Sequence, residues 1–189
     1  KIGNKMVGYL EIILGPMFSG KTSKLLEVYK QCKFCNIPVF VINHLSDTRY
    51  SDKELSNHDG VMIPCKQYTY LTQFFEEEND FDEYVQSEVV IINEAQFFPD
   101  LVKGVELMLG AKKRIYLSGL DGDFQRKKFG EILDLIPLCD KVTKLHSLCA
   151  KCKDGKPALF SKRLTQETQQ TVVGSFNYIP VCRKCYENY

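Results

Sequence analysis

Two glycines, a lysine and a threonine stand at fixed spacing in Gly15-Pro16-Met17-Phe18-Ser19-Gly20-Lys21-Thr22, directly after the apolar run Leu10–Leu14. That spacing suits a loop that holds phosphate. The glycines let the chain curl so that successive N–H groups point at phosphate oxygens, and the positive end of the following helix adds to them. Lys21 would reach the outer phosphates, and the Thr22 hydroxyl would sit on Mg²⁺. A chance match arises on the order of once in tens of thousands of positions. A glycine-rich turn without a ligand is the bland alternative.

A phosphate loop needs an acid on a neighbouring strand. The run Val89-Val90-Ile91-Ile92 leads into Asn93-Glu94-Ala95-Gln96-Phe97-Phe98. An apolar strand ending in polar residues places them at the carboxyl edge of a sheet, beside the loop. Glu94 could accept the proton of a substrate hydroxyl, an effect worth roughly 10²–10⁴ in rate. It could instead be an edge carboxylate that only orders water or Mg²⁺.

Eight cysteines include three Cys-x-x-Cys pairs, at 32/35, 149/152 and 182/185. Cys149, Cys152, Cys182 and Cys185 read as a tetrahedral Zn²⁺ site, each pair on a knuckle turn. Four thiolates leave no open coordination position, so the metal would be structural. Zinc binding worth roughly 10–16 kcal/mol would fold a lobe too small for its own core. Cys32 and Cys35 have no second pair nearby and read as two half-buried thiols. Cys65 and Cys139 are expected in the core.

These groups need elements to position them. Leu10–Leu14, Val39–Ile42, Val89–Ile92 and Arg114–Leu117 read as buried strands, short and rich in β-branched residues. Gly20–Phe34 and Leu101–Leu109 have helical spacing. Strands alternating with helices imply a parallel sheet with right-handed crossovers. Segment 44–70 is polar and broken, with a strand at Val61–Cys65. The acidic run 76–80 is expected to be a solvated face. Beyond His146 the texture changes, with strand-like Ala158–Lys162 and Gln170–Val173 between the cysteine pairs. The expected fold is α/β, a P-loop, RecA-like parallel sheet flanked by helices over 1–146. A small zinc-ribbon-like lobe over 147–189 would carry a substrate-binding loop.

Composition excludes several classes. The 44% hydrophobic and 26% charged residues fit a soluble globular chain. Lys plus Arg number 25 against 24 Asp plus Glu, so a general nucleic-acid partner is not expected. No apolar run approaches the roughly 20 residues of a membrane span, and no signal peptide is visible at Lys1. Paired cysteines in a nucleotide-type protein point to a reducing, cytoplasmic compartment.

Further motifs occur in order. They are Asp47-Thr48-Arg49-Tyr50-Ser51, His58-Asp59, Glu94-Ala95-Gln96-Phe97-Phe98-Pro99-Asp100, Leu120-Asp121-Gly122-Asp123-Phe124-Gln125-Arg126-Lys127, Lys144-Leu145 and Cys182-Arg183-Lys184-Cys185-Tyr186. With the loop and the cysteines they resemble the thymidine kinase family of cell cytoplasm, many bacteria and poxviruses. The resemblance runs from about Gly8 to Tyr186.

It implies phosphoryl transfer from ATP·Mg²⁺ to the 5′-hydroxyl of thymidine, giving dTMP for DNA precursor synthesis. Glu94 would be the catalytic base. Residues 15–22, Asp47, Thr48, Arg49, Asn93 and Gln96 would meet the nucleotide, with Thr22 and Asn93 toward Mg²⁺. Met17, Phe97, Leu120, Phe124 and Phe129 would wall the thymine ring, although ordinary core is their other reading. One methyl is worth only about 1–3 kcal/mol, so leakage to deoxyuridine is expected. Arg163 through Tyr178 resembles the family's lasso loop. There Arg163 would belong to the substrate-binding set, main-chain groups of Gln170, Thr171, Val172, Val173 and Gly174 would meet the base, and Tyr178 the sugar or base. The resemblance also implies a homotetramer and feedback inhibition by dTTP.

The chain departs from the family pattern at Asn93, usually Asp, which should weaken Mg²⁺ binding. Asp123 and Lys128 stand for a common Thr and Pro, and Gly174-Ser175 for Gly-Gly, with a lasso about one residue shorter. One rival reading is a P-loop ATPase or nucleotide switch with a structural zinc ribbon. Another is a nucleic-acid module on the cysteine ribbon, disfavoured by sparse aromatic interleaving.

Overall fold

The computed structural model describes residues 7–47, 54–56, 60–172 and 177–188. Its centre is a parallel sheet. In chain order, β1 (Tyr9–Leu14), α1 (Lys21–Phe34) and β2 (Val39–His44) come first. A small antiparallel pair follows, β3 (Glu54–Ser56) with β4 (Met62–Pro64). Next come β5 (Lys66–Tyr68), α2 (Glu78–Gln86), β6 (Val89–Ile92), α3 (Leu101–Gly110), β7 (Arg114–Gly119) and β8 (Lys141–Lys144). The six-stranded sheet has the order β5-β2-β6-β7-β1-β8, every neighbour parallel.

The apolar runs are continuous because both faces of the sheet are covered. Val90 and Ile92 of β6 join one core cluster with Leu10, Ile12 and Leu14 of β1. Val89 and Ile91 join the opposite cluster with Ile13. Leu25 and Leu26 of α1 close the second face, whereas Leu101, Val105 and Met108 of α3 close the first. Alternation of period two thus divides each strand between the two clusters. The helix α1 ends at Phe34 with Cys35 as its cap, beyond which Asn36 takes a left-handed φ of 55°.

The remaining elements hold the cysteines: β9 (Ser147–Leu148), β10 (Pro157–Ala158), β11 (Phe160–Arg163), β12 (Tyr178–Val181) and α4 (Arg183–Glu187). Strand β9 pairs with β10, and β11 with β12, all antiparallel. Cys149, Cys182, Ala158 and Val181 form a separate small buried cluster.

Several expectations need correction. Residues 170–172 are not in a strand, because the Gln170 side chain and the carbonyls of this stretch bond to Asp123, Arg163 and Tyr178 instead of a ladder. Residues 76–79 are exposed as expected, but Asp80 is buried, ion-paired to Lys66 at 2.7 Å and accepting from the Tyr68 hydroxyl. Cys32 is buried inside α1 and Cys35, the residue that caps it, is exposed, so they are not two half-buried thiols. Cys65 and Cys139 are half-buried at the edges of the two clusters. Strand β5 and helix α2 were hidden in polar sequence. Among the described residues no helix is long and apolar enough to cross a membrane.

Candidate active site

The phosphate loop is built by close backbone approach. A Cβ on Gly15 would meet Ser19 Oγ at 2.6 Å and the Leu145 carbonyl at 2.8 Å, so this turn admits only glycine. Gly20 holds a left-handed φ of 83° at the start of α1, a conformation that glycine adopts freely. Phe18, although not glycine, is also left-handed at 62°. Such conformations cost free energy and persist where the surrounding fold over-determines them. Lys21 Nζ donates to the Pro16 carbonyl at 2.8 Å, folding the side chain over the loop. Among the described residues, Ser19 Oγ is the one buried side-chain polar atom without a partner. A buried hydroxyl inside this loop fits a phosphate oxygen, since buried polar groups are normally bonded.

Beside the loop, at the carboxyl end of β6, lies a buried amide network. Asn93, 1% exposed, accepts at Oδ1 from Ser118 Oγ at 3.0 Å and from Thr22 Oγ1 at 3.5 Å. Its Nδ2 donates to Asn43 Oδ1 at 3.1 Å. The Thr22–Asn93 pair is where the loop helix meets the β6 edge, and its two oxygens fit the hard-oxygen preference of Mg²⁺. Glu94 follows in a left-handed turn, φ 52°, half-buried. Gln96 Nε2 donates to Glu94 Oε2 at 2.7 Å, and Gln96 Oε1 accepts from the Leu120 N–H at 3.0 Å. Gln96 thus bridges Glu94 and the main chain after β7.

The aromatic residues gather on the same side. Phe97 and Phe129 meet edge to face, with ring centres 5.4 Å apart. His44 packs on Phe97 at 5.4 Å and on Phe98 at 4.8 Å. Burial holds its imidazole below the usual 6.5, opposed by a backbone bond to Thr69 and by the charges of Glu94 and Asp47. The neutral ring accepts the Ser46 N–H at Nδ1, 3.0 Å away. Met17, Leu120 and Phe124 are half-buried, and Phe129 is buried.

The loop after β11 is tied by Arg163. Its guanidinium lies 3.7 Å from the Phe124 ring centre. Its N–H groups donate to the carbonyls of Glu167, Gln169 and Gln170, and twice to the Tyr178 hydroxyl. Tyr178 also bonds both main-chain groups of Val172. Arg163 and Tyr178 thus organise the loop from within. Gln170 Nε2 reaches Asp123 Oδ2 at 2.9 Å, while Asp123 Oδ1 accepts from the N–H groups of Gln125 and Lys127. A carboxylate at position 123 thus serves a turn and the loop together. Thr171 is exposed. Asp47 accepts from Asn43 Nδ2 at 3.1 Å. Thr48, Arg49, Val173 and Gly174 lie outside the described residues.

The sulfurs of Cys149, Cys152, Cys182 and Cys185 all lie within 4.8 Å of one another. Zn–S bonds of about 2.3 Å imply a tetrahedron with edges of about 3.8 Å. Cys152 Sγ lies 3.7 Å from Cys182 Sγ and 3.3 Å from Cys185 Sγ, so the cluster needs only small adjustment to hold zinc. Burial raises the Cys149 thiol, yet N–H groups of Cys152, Cys182 and Lys151 draw it down to about 6. Hydrogen bonds to the sulfurs of Cys185 and Cys182 push the Cys152 thiol up to about 12 in turn, so the crowded sulfurs hold their protons unequally.

Asn43, His44, Ser118 and Ser161 escaped the sequence reading. Ser161 Oγ accepts the Met17 N–H at 2.9 Å, joining β11 to the phosphate loop. Only the polarity of Asn43 and His44 at the end of a buried strand hinted at a role.

A parallel sheet with a phosphate loop at its carboxyl edge and a four-cysteine lobe tied to that loop defines a P-loop nucleotide-binding protein. The model of the family described as thymidine kinase matches residues 8–186, and the chain belongs to the thymidine kinase family. It is 39% identical to a thymidine kinase of Sheeppox virus over 180 residues, 95% of this chain and 97% of that protein. It is 40% identical to that of Variola virus with the same coverage. A genome-packaging NTPase of Sulfolobus turreted icosahedral virus 2 has a TM-score of 0.48 at 14% identity, over 76% of this chain and 77% of that one. Membership of the thymidine kinase family does not favour a nucleotide switch with a zinc ribbon.

Proposed function

We propose that the chain transfers the γ-phosphate of ATP to the 5′-hydroxyl of thymidine, giving dTMP and ADP. The observation that carries this reading is the placement of Glu94, oriented by Gln96 at the β6 edge, beside the phosphate loop where Thr22 meets Asn93. The loop N–H groups, Lys21 and Ser19 would hold the donor phosphates, with Asp47, Thr48 and Arg49 joining them. Glu94 takes the 5′-hydroxyl proton as that oxygen bonds to the γ-phosphorus and the bond to the ADP oxygen breaks. Mg²⁺, held toward Thr22 and Asn93, would supply charge neutralisation of the phosphates.

Phe97, Phe129, Met17, Leu120 and Phe124 would wall the thymine, whose flat faces suit aromatic side chains. The loop closing over it would use main-chain groups of residues 170–174. Zn²⁺ on the four cysteines would anchor that loop. Family membership supports dTTP as feedback inhibitor, a homotetramer and a cytoplasmic setting. ADP release measured with and without thymidine tests the reading: turnover that ignores thymidine would sink it.

A further inference from the structure

In an asparagine, the side that carries the oxygen decides what the residue can offer. Oxygen and nitrogen are told apart by their partners. The network around Asn93 settles this through two anchors of fixed polarity. The His44 main-chain N–H can only donate, and it meets Asn43 Oδ1 at 3.1 Å. The Asp47 carboxylate accepts from Asn43 Nδ2 at 3.1 Å. Between them they set the orientation of Asn43. Asn43 Oδ1 then accepts from Asn93 Nδ2, which turns Asn93 Oδ1 toward Thr22 and Ser118. Both asparagines are 1% exposed, so a reversed amide would leave several groups mismatched without water to repair them.

We propose that Asn43 is a positioning residue, which holds the Asn93 carbonyl toward the nucleotide's metal. The proposal rests on the kinase reading above. An amide at position 93 can donate to Asn43 and accept at Thr22 at once, whereas a carboxylate there would set two acceptors against each other. Asn43 and Asn93 therefore work as a matched pair.

The test uses the full chain with a non-hydrolysable ATP analogue and Mn²⁺, bound metal being read by electron paramagnetic resonance. Asn43→Ala should weaken Mn²⁺ binding by about three- to tenfold, the size of one hydrogen bond, with thymidine affinity unchanged. Asn93→Ala should weaken it similarly, and the double variant no further. Equal weakening by Asn43→Ala in both backgrounds would overturn the coupling. Full Mn²⁺ binding by folded Asn43→Ala would overturn it too, as would full binding by Asn93→Ala, which removes Asn93 from the metal.

Asn43→Asp covers the case in which alanine unfolds the chain. It keeps the acceptor toward Asn93 and His44 but faces Asp47 with a like charge. Its thermal midpoint should fall while Mn²⁺ binding is kept, and lost binding would count against the proposal. Absence of thymidine-dependent turnover in the unaltered chain would defeat the kinase reading separately.

Discussion

The main-chain N–H of Met17, inside the phosphate loop, donates to Oγ of Ser161 on β11 at 2.9 Å. Ser161 is 5% exposed, so little water reaches its hydroxyl. Ser161→Ala should leave the amide unpaired, at about 1–3 kcal/mol. On the proposed reading, in which the loop holds ATP and β11 leads into the loop over thymidine, the KM values for both substrates should rise together. Ser161→Thr keeps the hydroxyl and should restore both. Steady-state kinetics in both substrates decide it, and an unaltered ATP KM in the alanine variant would refute the coupling.

Glu94→Gln should lower kcat by roughly 10²–10⁴ while the thermal midpoint and thymidine binding hold. Gln96→Leu should lower kcat by a smaller factor, since Glu94 stays but loses the amide that orients it at 2.7 Å. Single-turnover rates with calorimetric binding separate the two. Near-normal turnover in Glu94→Gln would assign the base elsewhere.

Asn93→Asp adds charge where Mg²⁺ would lie, and places an acceptor opposite Asn43 Oδ1, now 3.1 Å from the Asn93 amide. The magnesium midpoint should fall, and the thermal midpoint should drop by several degrees, at about 2–4 °C per kcal/mol for a chain of this size. An unaltered magnesium dependence would argue against a metal beside residue 93.

Chelation should release one zinc per chain and melt the lobe, because the cluster of Cys149, Cys182, Ala158 and Val181 is too small a core alone. Since β11 carries Ser161 and Arg163, thymidine binding should weaken most. Zinc content by elemental analysis, before and after chelation, measures this. A metal-free chain with full thymidine affinity would show that the cysteines do not tie the loop.

His44 is protonated less readily folded than unfolded, because it is buried against Phe97 and Phe98. The unfolded chain then binds the extra proton first, so stability rises with pH across this window. The contribution is complete above the ordinary 6.5 and is lost as pH falls through the lower folded value. Thermal midpoints between pH 7.5 and 5 should decline less in His44→Gln than in the unaltered chain. Parallel curves would assign the acid sensitivity to other groups.

The residues that speak for themselves in the chain do so because their partners are close in sequence. The phosphate loop is eight consecutive residues whose glycines dictate the turn, and the apolar strands carry their burial in their composition. The cysteine knuckles follow from two-residue spacings, and the family motifs mark the order of the parts. None of this requires knowing which strand lies beside which.

The strand order β5-β2-β6-β7-β1-β8 came only from packing, and with it the contacts that refine the site. Asn43 and Asn93 are 50 positions apart and meet because β2 and β6 are neighbours. Met17 and Ser161 are 144 apart and meet because the four-cysteine lobe leans on the loop. Arg163 gives no local sign that its donors meet the carbonyls of Glu167 and Gln170 and the Tyr178 hydroxyl, which is 15 positions away. Hydrogen-bond polarity across such distances has no local signature, because it depends on which groups the folded sheet brings within about 3 Å.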